Sequence, residues 1–494
     1  MEPQRFQNTV RGQLVASQTD RWLPSGNPVD RQVWAEIPQC GPEDAEAAIT
    51  AAHNAFSTGD WPALTATQRG QLLYRLADLI TRDAEKLAAL EVRDNGKLFA
   101  EMLTQVRYLP EYYRYFGGLA DKVEGAVLPS DKKDMFSYTL HEPLGVVVCI
   151  TPWNSPLLLL TWKLAAALAA GNTVVIKPSE YTSASTLAFV QLFKEAGFPD
   201  GVVNTVTGFG NEIGATLTEH HLVAKVAFTG GDATGAAVYA AAAKGMKHVS
   251  LELGGKSPNI IFDDANLDNA VKGAISGIFA ASGQTCIAGS RLLVQRSVYD
   301  EVTRRVVEFA STARMGDPML PDTQVGPITT AAQRQKVLDY IAIARAEGAT
   351  CLLGGGIPDD PTLKRGWYVQ PTIFGDVTNT MRIAREEVFG PVLSILPFED
   401  EADAIRVAND TIYGLAAGVW TADMARAVRM AGALQAGTVW VNTYRAVSFM
   451  APFGGYKQSG IGRENGQEAI YEFLQTKCVW LNLAEDVPNP FVIR

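Results

Sequence analysis

A chain of 494 residues is too long for one simple hydrophobic core, so two or three domains are expected. Hydrophobic residues make up 47% of it and charged residues 19%, as in ordinary globular proteins. The formal net charge of -10 argues against a general nucleic-acid surface and leaves room only for a local basic pocket that binds phosphate.

The cysteines and the apolar runs indicate a cytoplasmic protein in a reducing compartment. The five cysteines are odd in number and show no Cys-x-x-Cys spacing, which predicts neither a disulfide framework nor a metal site. The N-terminal residues lack the apolar core of a secretory signal. The longest apolar run, 156–170, contains Lys163 and is shorter than the ~20 residues that span a membrane. It predicts a buried helix, and no membrane association is expected.

In chain order, residues 43–57 and 66–120 have the composition of helices. Short apolar strands then alternate with helices, which indicates a parallel sheet covered on both faces. In this first block, strands are predicted at 145–150, 173–177, 202–206, 225–228 and 248–253, with helices at 157–170 and 183–196. A second block has predicted strands at 259–262, 291–294, 392–397, 417–420 and 438–441, and helices at 299–313, 330–347, 401–408 and 422–434. The fold class is therefore α/β, in two domains of similar size.

Three segments fit neither block. The segment 123–142, around Met135–Leu140, and the C-terminal stretch Cys478–Leu483 both alternate like strands but have no obvious partner nearby in sequence. Pairing with another subunit is one interpretation, and an edge strand within one chain is the other. The loop Tyr456–Glu464 carries two cations among glycines and is interpreted as a solvated interdomain loop.

Polar or glycine-rich turns follow four strands of the first block. Asn154 lies in a turn fixed by two prolines, where its amide is a suitable oxyanion donor, although a turn asparagine explains it equally well. Lys177 and Glu180 have the chemistry to contact phosphate or ribose. The turns at 208–214 and 230–235 are rich in glycine. A tight turn explains each one alone, but together the four turns indicate a nucleotide site.

Cys286 and Glu252 are the candidate reactive groups. Glycines flank Cys286 and let a ligand approach closely, whereas Cys149 lies in an apolar strand and is interpreted as core. A free thiol has a pKa near ~8.5, so a nucleophilic cysteine needs oriented N–H groups or a cation beside it. Glu252 ends a strand at the expected ligand crevice, where desolvation raises its pKa and suits it to activate water. A structural ion pair with a neighbouring Lys or Arg is the alternative.

Taken together, these segments resemble the NAD(P)-dependent aldehyde dehydrogenase superfamily over essentially the whole chain. Seven motifs occur in the family's order: Pro152-Trp153-Asn154, Lys177-Pro178-Ser179-Glu180, Phe228-Thr229-Gly230, Leu251-Glu252-Leu253-Gly254-Gly255-Lys256, Gly283-Gln284-Thr285-Cys286, Glu386-Glu387-Val388-Phe389-Gly390-Pro391 and Pro452-Phe453-Gly454-Gly455. The resemblance implies a Rossmann-like NAD-binding domain (1–122 and 143–252), an α/β catalytic domain (253–472) and a small β oligomerisation arm (123–142 and 473–494). Such an arm accounts for the two unpaired segments and implies a homodimer or homotetramer.

The resemblance also implies the site residues. Cys286 adds to the carbonyl of a small-molecule aldehyde, the Asn154 amide and the Cys286 N–H hold the oxyanion, and hydride passes to the nicotinamide. Glu252 then activates the water that hydrolyses the thioester, and Lys177 is counted with the catalytic residues. The implied cofactor-binding residues are Ile150, Trp153, Lys177, Ser179, Glu180, Gly210, Phe228, Thr229, Gly230, Gly231, Leu253, Gly254, Glu387 and Phe389.

The implied substrate tunnel is mostly apolar and suits a medium aliphatic or aromatic aldehyde. Arg445, nearby in sequence, either contacts an anionic substrate tail or is a solvated loop charge, and the second interpretation is favoured. The tunnel residues are Ser155, Leu159, Trp162, Phe279, Thr285, Ile287, Val447 and Phe453.

Two residues bear on the cofactor. Glu180, beside the ribose, repels a 2′-phosphate and favours NAD, with NADP as the alternative. The family often has a serine where this chain has Gly231, so backbone N–H groups must contact the pyrophosphate there.

Three classes of function are compared. The first is a dehydrogenase that hydrolyses its thioester to the free acid. The second is a relative that passes the acyl group to coenzyme A. Glu252 argues against it, because a base that activates water would hydrolyse the thioester before the acyl group is transferred. The third is a non-catalytic protein of the same fold, against which the presence of Cys286, Glu252 and Asn154 argues.

Overall fold

The computed structural model describes residues 2–486 and 489–491, and it has the predicted mixed α/β architecture. Met1 of the predicted cofactor domain, and residues 487–488 and 492–494 of the predicted arm, lie outside the described residues. The helices are α1 (Pro42–Ser57), α2 (Ala66–Asn95), α3 (Phe99–Leu119), α4 (Pro156–Ala170), α5 (Ala184–Ala196), α6 (Gly210–Glu219), α7 (Asp232–Ala243), α8 (Leu267–Phe279), α9 (Tyr299–Ser311), α10 (Ala331–Ala346), α11 (Arg382–Arg385), α12 (Glu401–Asn409) and α13 (Met424–Ala433). The strands are β1 (Gln4–Arg5), β2 (Asn8–Val10), β3 (Gln13–Val15), β4 (Trp22–Gly26), β5 (Val33–Pro38), β6 (Val127–Leu128), β7 (Met135–Pro143), β8 (Val146–Ile150), β9 (Thr173–Lys177), β10 (Val203–Thr205), β11 (Val223–Thr229), β12 (His248–Glu252), β13 (Pro258–Ile261), β14 (Arg291–Gln295), β15 (Thr350–Leu353), β16 (Thr372–Gly375), β17 (Val392–Phe398), β18 (Tyr413–Gly414), β19 (Ala416–Trp420), β20 (Thr438–Val441), β21 (Tyr456–Lys457), β22 (Gly460–Ile461) and β23 (Leu474–Asn482).

The first block of predicted strands forms one sheet in the order β10-β9-β8-β11-β12-β22. The strands β8 to β12 run parallel, as predicted, and β8 and β9 are buried along their whole length. The short strand β22 is antiparallel to β12 and closes the edge. β22 comes from the loop Tyr456–Glu464, which is partly solvated: Tyr456 and Ile461 are exposed, whereas Ser459 and Glu464 are buried.

The second block forms another sheet in the order β15-β16-β17-β14-β13-β19-β20. Its strands are parallel except for β15, which is antiparallel to β16. The predicted strands are all present, and β15 and β16 extend the sheet beyond them. The division of the chain at residues 122, 142, 252 and 472 stays a prediction, with the qualification that β22 joins the first sheet from within the predicted catalytic segment.

The prediction that residues 66–120 are mostly helical is confirmed, and the chain forms two helices there. α2 ends at Asn95, and Gly96 follows with a φ of 74°, the left-handed conformation that commonly ends a helix. α3 begins at Phe99 and packs back along α2. This break leaves Lys97 in a turn directed at the other helices of the first block.

The two unpaired extended segments pair with each other. β23 lies antiparallel to β7 from Leu474 opposite Pro143 to Asn482 opposite Met135, and β6 lies on the other side of β7. Of the two interpretations, pairing within one chain is what the structure has. β23 is an edge strand of this three-stranded sheet.

The apolar run at 156–170 forms α4, and all but one of its residues are buried. The prediction of a core helix is therefore confirmed. Within residues 2–486 and 489–491, no helix combines the length and the apolar character needed to cross a membrane.

Candidate active site

One large cavity lies at the carboxyl ends of β8, β9, β11 and β12, facing the loops of the second sheet. Its volume is about 670 Å³. Ligands of open parallel sheets bind at this edge, because the strand ends and helix N-termini leave backbone groups free there. The predicted catalytic residues Cys286, Glu252, Asn154 and Lys177 all line it. So do all the predicted cofactor residues: Ile150, Trp153, Ser179, Glu180, Gly210, Phe228, Thr229, Gly230, Gly231, Leu253, Gly254, Glu387 and Phe389.

Cys286 lies in the loop between α8 and β14, just after a short helical turn at Ala280–Gly283. Ala281 and Ser282 both have a φ of 53°, which is uncommon for residues with a side chain and indicates a backbone held by its surroundings. Burial raises the pKa of the Cys286 thiol to about 12, and the charges of Glu387 and Glu252 act in the same direction. Backbone N–H groups of Ile287 and Cys286 act against this rise in pKa. In the chain alone, the thiol is therefore neutral at pH 7.

Glu252 ends β12, with Thr229 beside it on β11 and Gly460 on β22. It is 4% exposed, and neither carboxylate oxygen has a hydrogen-bond partner among the described residues. Burial raises the pKa of Glu252 well above its ordinary value, Glu464 raises it further, and Lys163 lowers it. The structural ion pair considered as an alternative is absent from the described part of the chain. A buried carboxyl of this kind is suited to accept a proton.

Glu464 and Lys163 are site residues that sequence reasoning missed. The Lys163 ammonium, on α4, donates to Glu464 and, at 2.5 Å, to the hydroxyl of Thr229. Both charged side chains are buried, at 0% and 4% exposure. The signal in the sequence was a lysine inside an otherwise apolar helix, because a buried ammonium requires an anionic partner.

Asn154 follows β8 and is 5% exposed. Its Nδ2 donates to the carbonyl of Gln284 at 2.9 Å, two residues before Cys286. The amide of Asn154 is thus held against the loop that carries the thiol. Its second N–H remains for another acceptor.

A profile of the aldehyde dehydrogenase family matches residues 14–479. The chain belongs to the aldehyde dehydrogenase family. The enzyme is 46% identical over 496 residues to the (Z)-2-((N-methylformamido)methylene)-5-hydroxybutyrolactone dehydrogenase of Acinetobacter baylyi, across 99% of this chain and 100% of that protein. It also resembles two solved structures with bound NAD+. The betaine aldehyde dehydrogenase of Staphylococcus aureus has a TM-score of 0.97 at 42% identity, across 98% of this chain and 96% of the other. An aldehyde dehydrogenase of Bacillus cereus has a TM-score of 0.95 at 45% identity, across 97% of each chain.

These comparisons confirm the resemblance and the fold class that the motifs predicted. The enzyme is an oxidoreductase that oxidises an aldehyde. Which aldehyde it oxidises is not determined by the family.

The predicted cofactor residues fall in separate parts of the cavity lining. In one part, the Lys177 Nζ lies 3.6 Å from the Glu180 carboxylate, and burial lowers the pKa of Lys177. In another part, α6 begins at Gly210 and α7 begins just after Gly231, so two helix N-termini face the space. A Cβ built on Gly210 or Gly231 meets nothing within 4 Å.

In a third part, Glu387 accepts a hydrogen bond from the Gly255 N–H at 3.0 Å. Phe389 has a φ of 57°, and its ring lies edge-on to Trp153 with 5.3 Å between the centroids. Gln333, which the motifs did not indicate, donates to the carbonyls of Val388 and Phe389 at 2.9 Å each. These bonds hold the backbone of the Glu387–Phe389 turn.

Of the predicted tunnel residues, only Leu159 lines the cavity. Trp162 and Phe453 pack with 4.9 Å between ring centroids. Ser155, Leu159, Trp162, Phe279, Ile287 and Phe453 are buried, and Thr285 and Val447 are partly exposed.

Tyr108 and Tyr112 of α3 pack near Phe449, a contact that the sequence did not indicate. The ring of Phe449 lies 5.8 Å from that of Tyr108 and 5.9 Å from that of Tyr112. Arg445 is not a free loop charge, because its guanidinium donates to the carbonyl of Ser276 at 3.2 Å.

Proposed function

We propose that Cys286, Asn154 and Glu252 carry out the oxidation of an aldehyde to the carboxylic acid, with NAD as the cofactor. The observation that supports this most directly is their convergence on one cavity. A thiol, an amide donor and a buried carboxyl without a hydrogen-bond partner all face the space that the predicted cofactor residues also line.

The cavity fits a dinucleotide by the chemistry of its lining. Glu180 and Lys177 offer an acceptor and a donor to the adenosine ribose, and the N-termini of α6 and α7 offer N–H groups to the pyrophosphate. Glu387 would hold the nicotinamide ribose beside Phe389. Bound NAD+ supplies the acceptor for the hydride that leaves the aldehyde carbon.

The chain's own groups then divide the reaction into acylation and hydrolysis. The Cys286 sulfur bonds to the carbonyl carbon as the thiol proton is released to solvent, and the new oxyanion accepts hydrogen bonds from the Asn154 amide and the Cys286 N–H. Loss of hydride leaves a thioester on Cys286. Glu252 takes a proton from water, whose oxygen attacks the thioester carbon. The C–S bond breaks, the acid leaves, and the Glu252 proton returns to the sulfur.

Glu180 supports a preference for NAD over NADP, because its carboxylate repels a phosphate on the ribose. Initial rates with both cofactors test this preference. A higher catalytic efficiency with NADP contradicts it.

We propose a medium aliphatic or aromatic aldehyde as the substrate class. The support is the apolar and aromatic lining behind Cys286, in particular the packed rings of Trp162 and Phe453. A panel of aldehydes assayed with NAD identifies the substrate, and highest efficiency with small charged aldehydes contradicts the proposal.

The role of Cys286 is tested by Cys286→Ala, with Cys351→Ala as the matched control. Both cysteines are free and partly exposed, but Cys351 lies on β15, away from the cavity. We expect the first variant to lose oxidation and the second to keep it. Product analysis with and without coenzyme A tests hydrolysis, since a coenzyme A thioester as the main product contradicts the role of Glu252.

We further propose that the enzyme self-associates as a homodimer or homotetramer through the sheet β23-β7-β6. β23 is an edge strand, and it carries Trp480 and Leu481 at 52% and 44% exposure. Unpaired strand edges with exposed apolar side chains favour pairing with another chain. Size-exclusion chromatography with light scattering tests this, and Trp480→Glu should shift the enzyme toward the monomer. A monomeric wild-type enzyme contradicts the proposal.

We also propose a cytoplasmic location. The five cysteines are all free in the described structure, which suits a reducing compartment. Cell fractionation with an antibody tests it.

A further inference from the structure

Four residues from separate segments of the chain close a ring of hydrogen bonds beside the loop that carries Cys286. The Asn154 Nδ2 donates to the carbonyl of Gln284 at 2.9 Å, and the Gln284 Oε1 accepts from the Thr329 N–H at 2.9 Å. The Thr329 hydroxyl donates to the carbonyl of Asn95 at 2.7 Å. The Asn95 amide donates to the carbonyl of Asn154 at 3.5 Å, the longest of the four bonds. This hydrogen-bond ring joins the end of α2, the turn after β8, the cysteine loop and the segment before α10.

The hydrogen-bond ring is shielded from water, because none of its four residues is more than 5% exposed. Away from water, a hydrogen bond is electrostatically stronger, and a donor or acceptor left without its partner costs about 1–3 kcal/mol. The four segments are therefore held in one arrangement relative to each other.

This arrangement determines the direction of the Asn154 amide. A backbone carbonyl can only accept, so the nitrogen of the amide, and not its oxygen, faces Gln284. One N–H is used in that bond, and the planar amide then fixes the direction of the other. Gln284 and Cys286 belong to one loop, two residues apart, so the second N–H is also fixed relative to the thiol. Such preorganisation is what makes a donor effective toward an oxyanion that forms in the transition state.

The segment before α10 anchors the loop that carries Cys286. Besides the bond between Gln284 and Thr329, the Ser282 hydroxyl donates to the carbonyl of Gly326 at 2.8 Å. Ser282 has a φ of 53°, a conformation that persists where the surroundings hold it. Thr329 additionally bonds to the end of α2 through its hydroxyl, so it connects this anchor to the rest of the hydrogen-bond ring.

We propose that Thr329 is a positioning residue for aldehyde oxidation, whose hydrogen bonds hold the Asn154 amide in the orientation that receives the oxyanion. It acts through Gln284 on one side and through Asn95 on the other. The inference rests on the proposed role of Asn154 as the oxyanion donor. Thr329 does not line the cavity, so no contact with the aldehyde or with the cofactor is assigned to it.

The first measurement is kcat/KM of Thr329→Val for an aldehyde of the panel. Valine has nearly the shape of threonine but no hydroxyl, so the bond to Asn95 is lost and the backbone bond to Gln284 is kept. Loss of an oxyanion donor costs ~10²–10³-fold, and a displaced donor loses part of that, so we expect kcat/KM to fall about tenfold. The Kd for NAD should not change.

A double-mutant cycle with Asn154→Ala separates positioning of the donor from a general structural effect. In the Asn154→Ala enzyme no donor remains to be positioned, so adding Thr329→Val should lower kcat/KM by less than about twofold. Alkylation of Cys286 by iodoacetamide is a second readout, because that reaction forms no oxyanion. Its rate in Thr329→Val at pH 7 should stay within about twofold of wild type.

Two further variants serve as controls. Thr173→Val removes another buried hydroxyl that donates to a backbone carbonyl, that of Ala52 at 2.9 Å, but Thr173 lies on β9 outside the hydrogen-bond ring. It should lower the melting temperature as Thr329→Val does, while kcat/KM stays at the wild-type value. Thr329→Ser keeps the hydroxyl and should keep most of the wild-type kcat/KM.

Each result supports or overturns the proposal. A wild-type kcat/KM in Thr329→Val overturns it, as does an equal loss in the Asn154→Ala background or a parallel loss of Cys286 alkylation. If Thr329→Val does not fold, Asn95→Ser breaks the bond to the Asn154 carbonyl, and a wild-type kcat/KM in that variant overturns the proposal equally. Loss of activity in Asn154→Ala alongside an unaffected Thr329→Val refutes this inference alone. Full activity in Asn154→Ala refutes the proposed function of Asn154 as well.

Discussion

Glu252→Gln should separate the two half-reactions of this enzyme. Glutamine has nearly the same size and shape but cannot accept a proton from water. Neither oxygen of Glu252 has a hydrogen-bond partner among the described residues, so the substitution breaks no ion pair. We therefore expect acylation of Cys286 to proceed while hydrolysis of the thioester slows.

The size of the effect follows from the proposed role and the burial of the carboxyl. A positioned general base contributes ~10²–10⁴-fold to a rate, which corresponds to about 3–5 kcal/mol of activation free energy. The steady-state rate should fall by that factor, while the first turnover still releases NADH as a burst close to one equivalent per Cys286.

The pH dependence of thioester hydrolysis is a second, independent test of Glu252 as the base. Burial raises the pKa of Glu252, so the wild-type carboxyl loses its proton, and hydrolysis accelerates, only as the pH rises through that raised value. This rise in the rate of hydrolysis with pH should be absent in Glu252→Gln. A folded-state pKa above the unfolded one means that the carboxylate destabilises the fold at higher pH. The melting temperature of the variant at pH 8 should therefore be no lower than that of wild type.

Stopped-flow absorbance of NADH, with an aldehyde chosen from the panel, measures burst and steady state together. Cys286→Ala should show neither a burst nor steady-state turnover. Glu212 forms a surface ion pair with Arg21, so Glu212→Gln should behave as wild type. Mass spectrometry should find the acyl adduct on Cys286 in the Glu252→Gln enzyme. Absence of the burst, or unchanged turnover, refutes the assignment of Glu252 as the base for hydrolysis.

Three other substitutions test the surroundings of the site. Glu180→Gln removes the charge beside the ribose, so the ratio of catalytic efficiencies for NADP over NAD should rise about tenfold or more, as initial rates will measure. Gly231→Ser places a hydroxyl in open space at the start of α7, and we expect the Kd for NAD, measured by calorimetry, to fall about two- to fivefold. Glu464→Gln removes a charge that raises the pKa of Glu252 and leaves the opposing charge of Lys163, so the acid limb of turnover should move to lower pH. A shift to higher pH contradicts that account of the Glu252 environment.

The sequence predicts which candidate residues meet where a residue's position in the fold is carried by one short segment, while their catalytic roles stay predictions. Asn154, Lys177 and Glu252 each follow or end a strand, and parallel strands bring their carboxyl ends to one edge. Their meeting at the cavity therefore follows from the strand pattern alone. The packing of Tyr108 and Tyr112 on Phe449 was not predicted, because α3 and Phe449 lie far apart in the chain.

The amino-acid sequence by itself determined the alternation of strands and helices, the two parallel sheets and the identity of the reactive groups, because these depend on local patterns and on motif order. Tertiary structure alone decided the pairing of β7 with β23, the bond between Lys163 and Glu464, and the contact of Lys97 with Ser155. Each of these joins segments far apart in the chain. Burying an unpaired charge or strand edge costs free energy. Each of these groups is therefore paired with a complementary group that the fold places beside it.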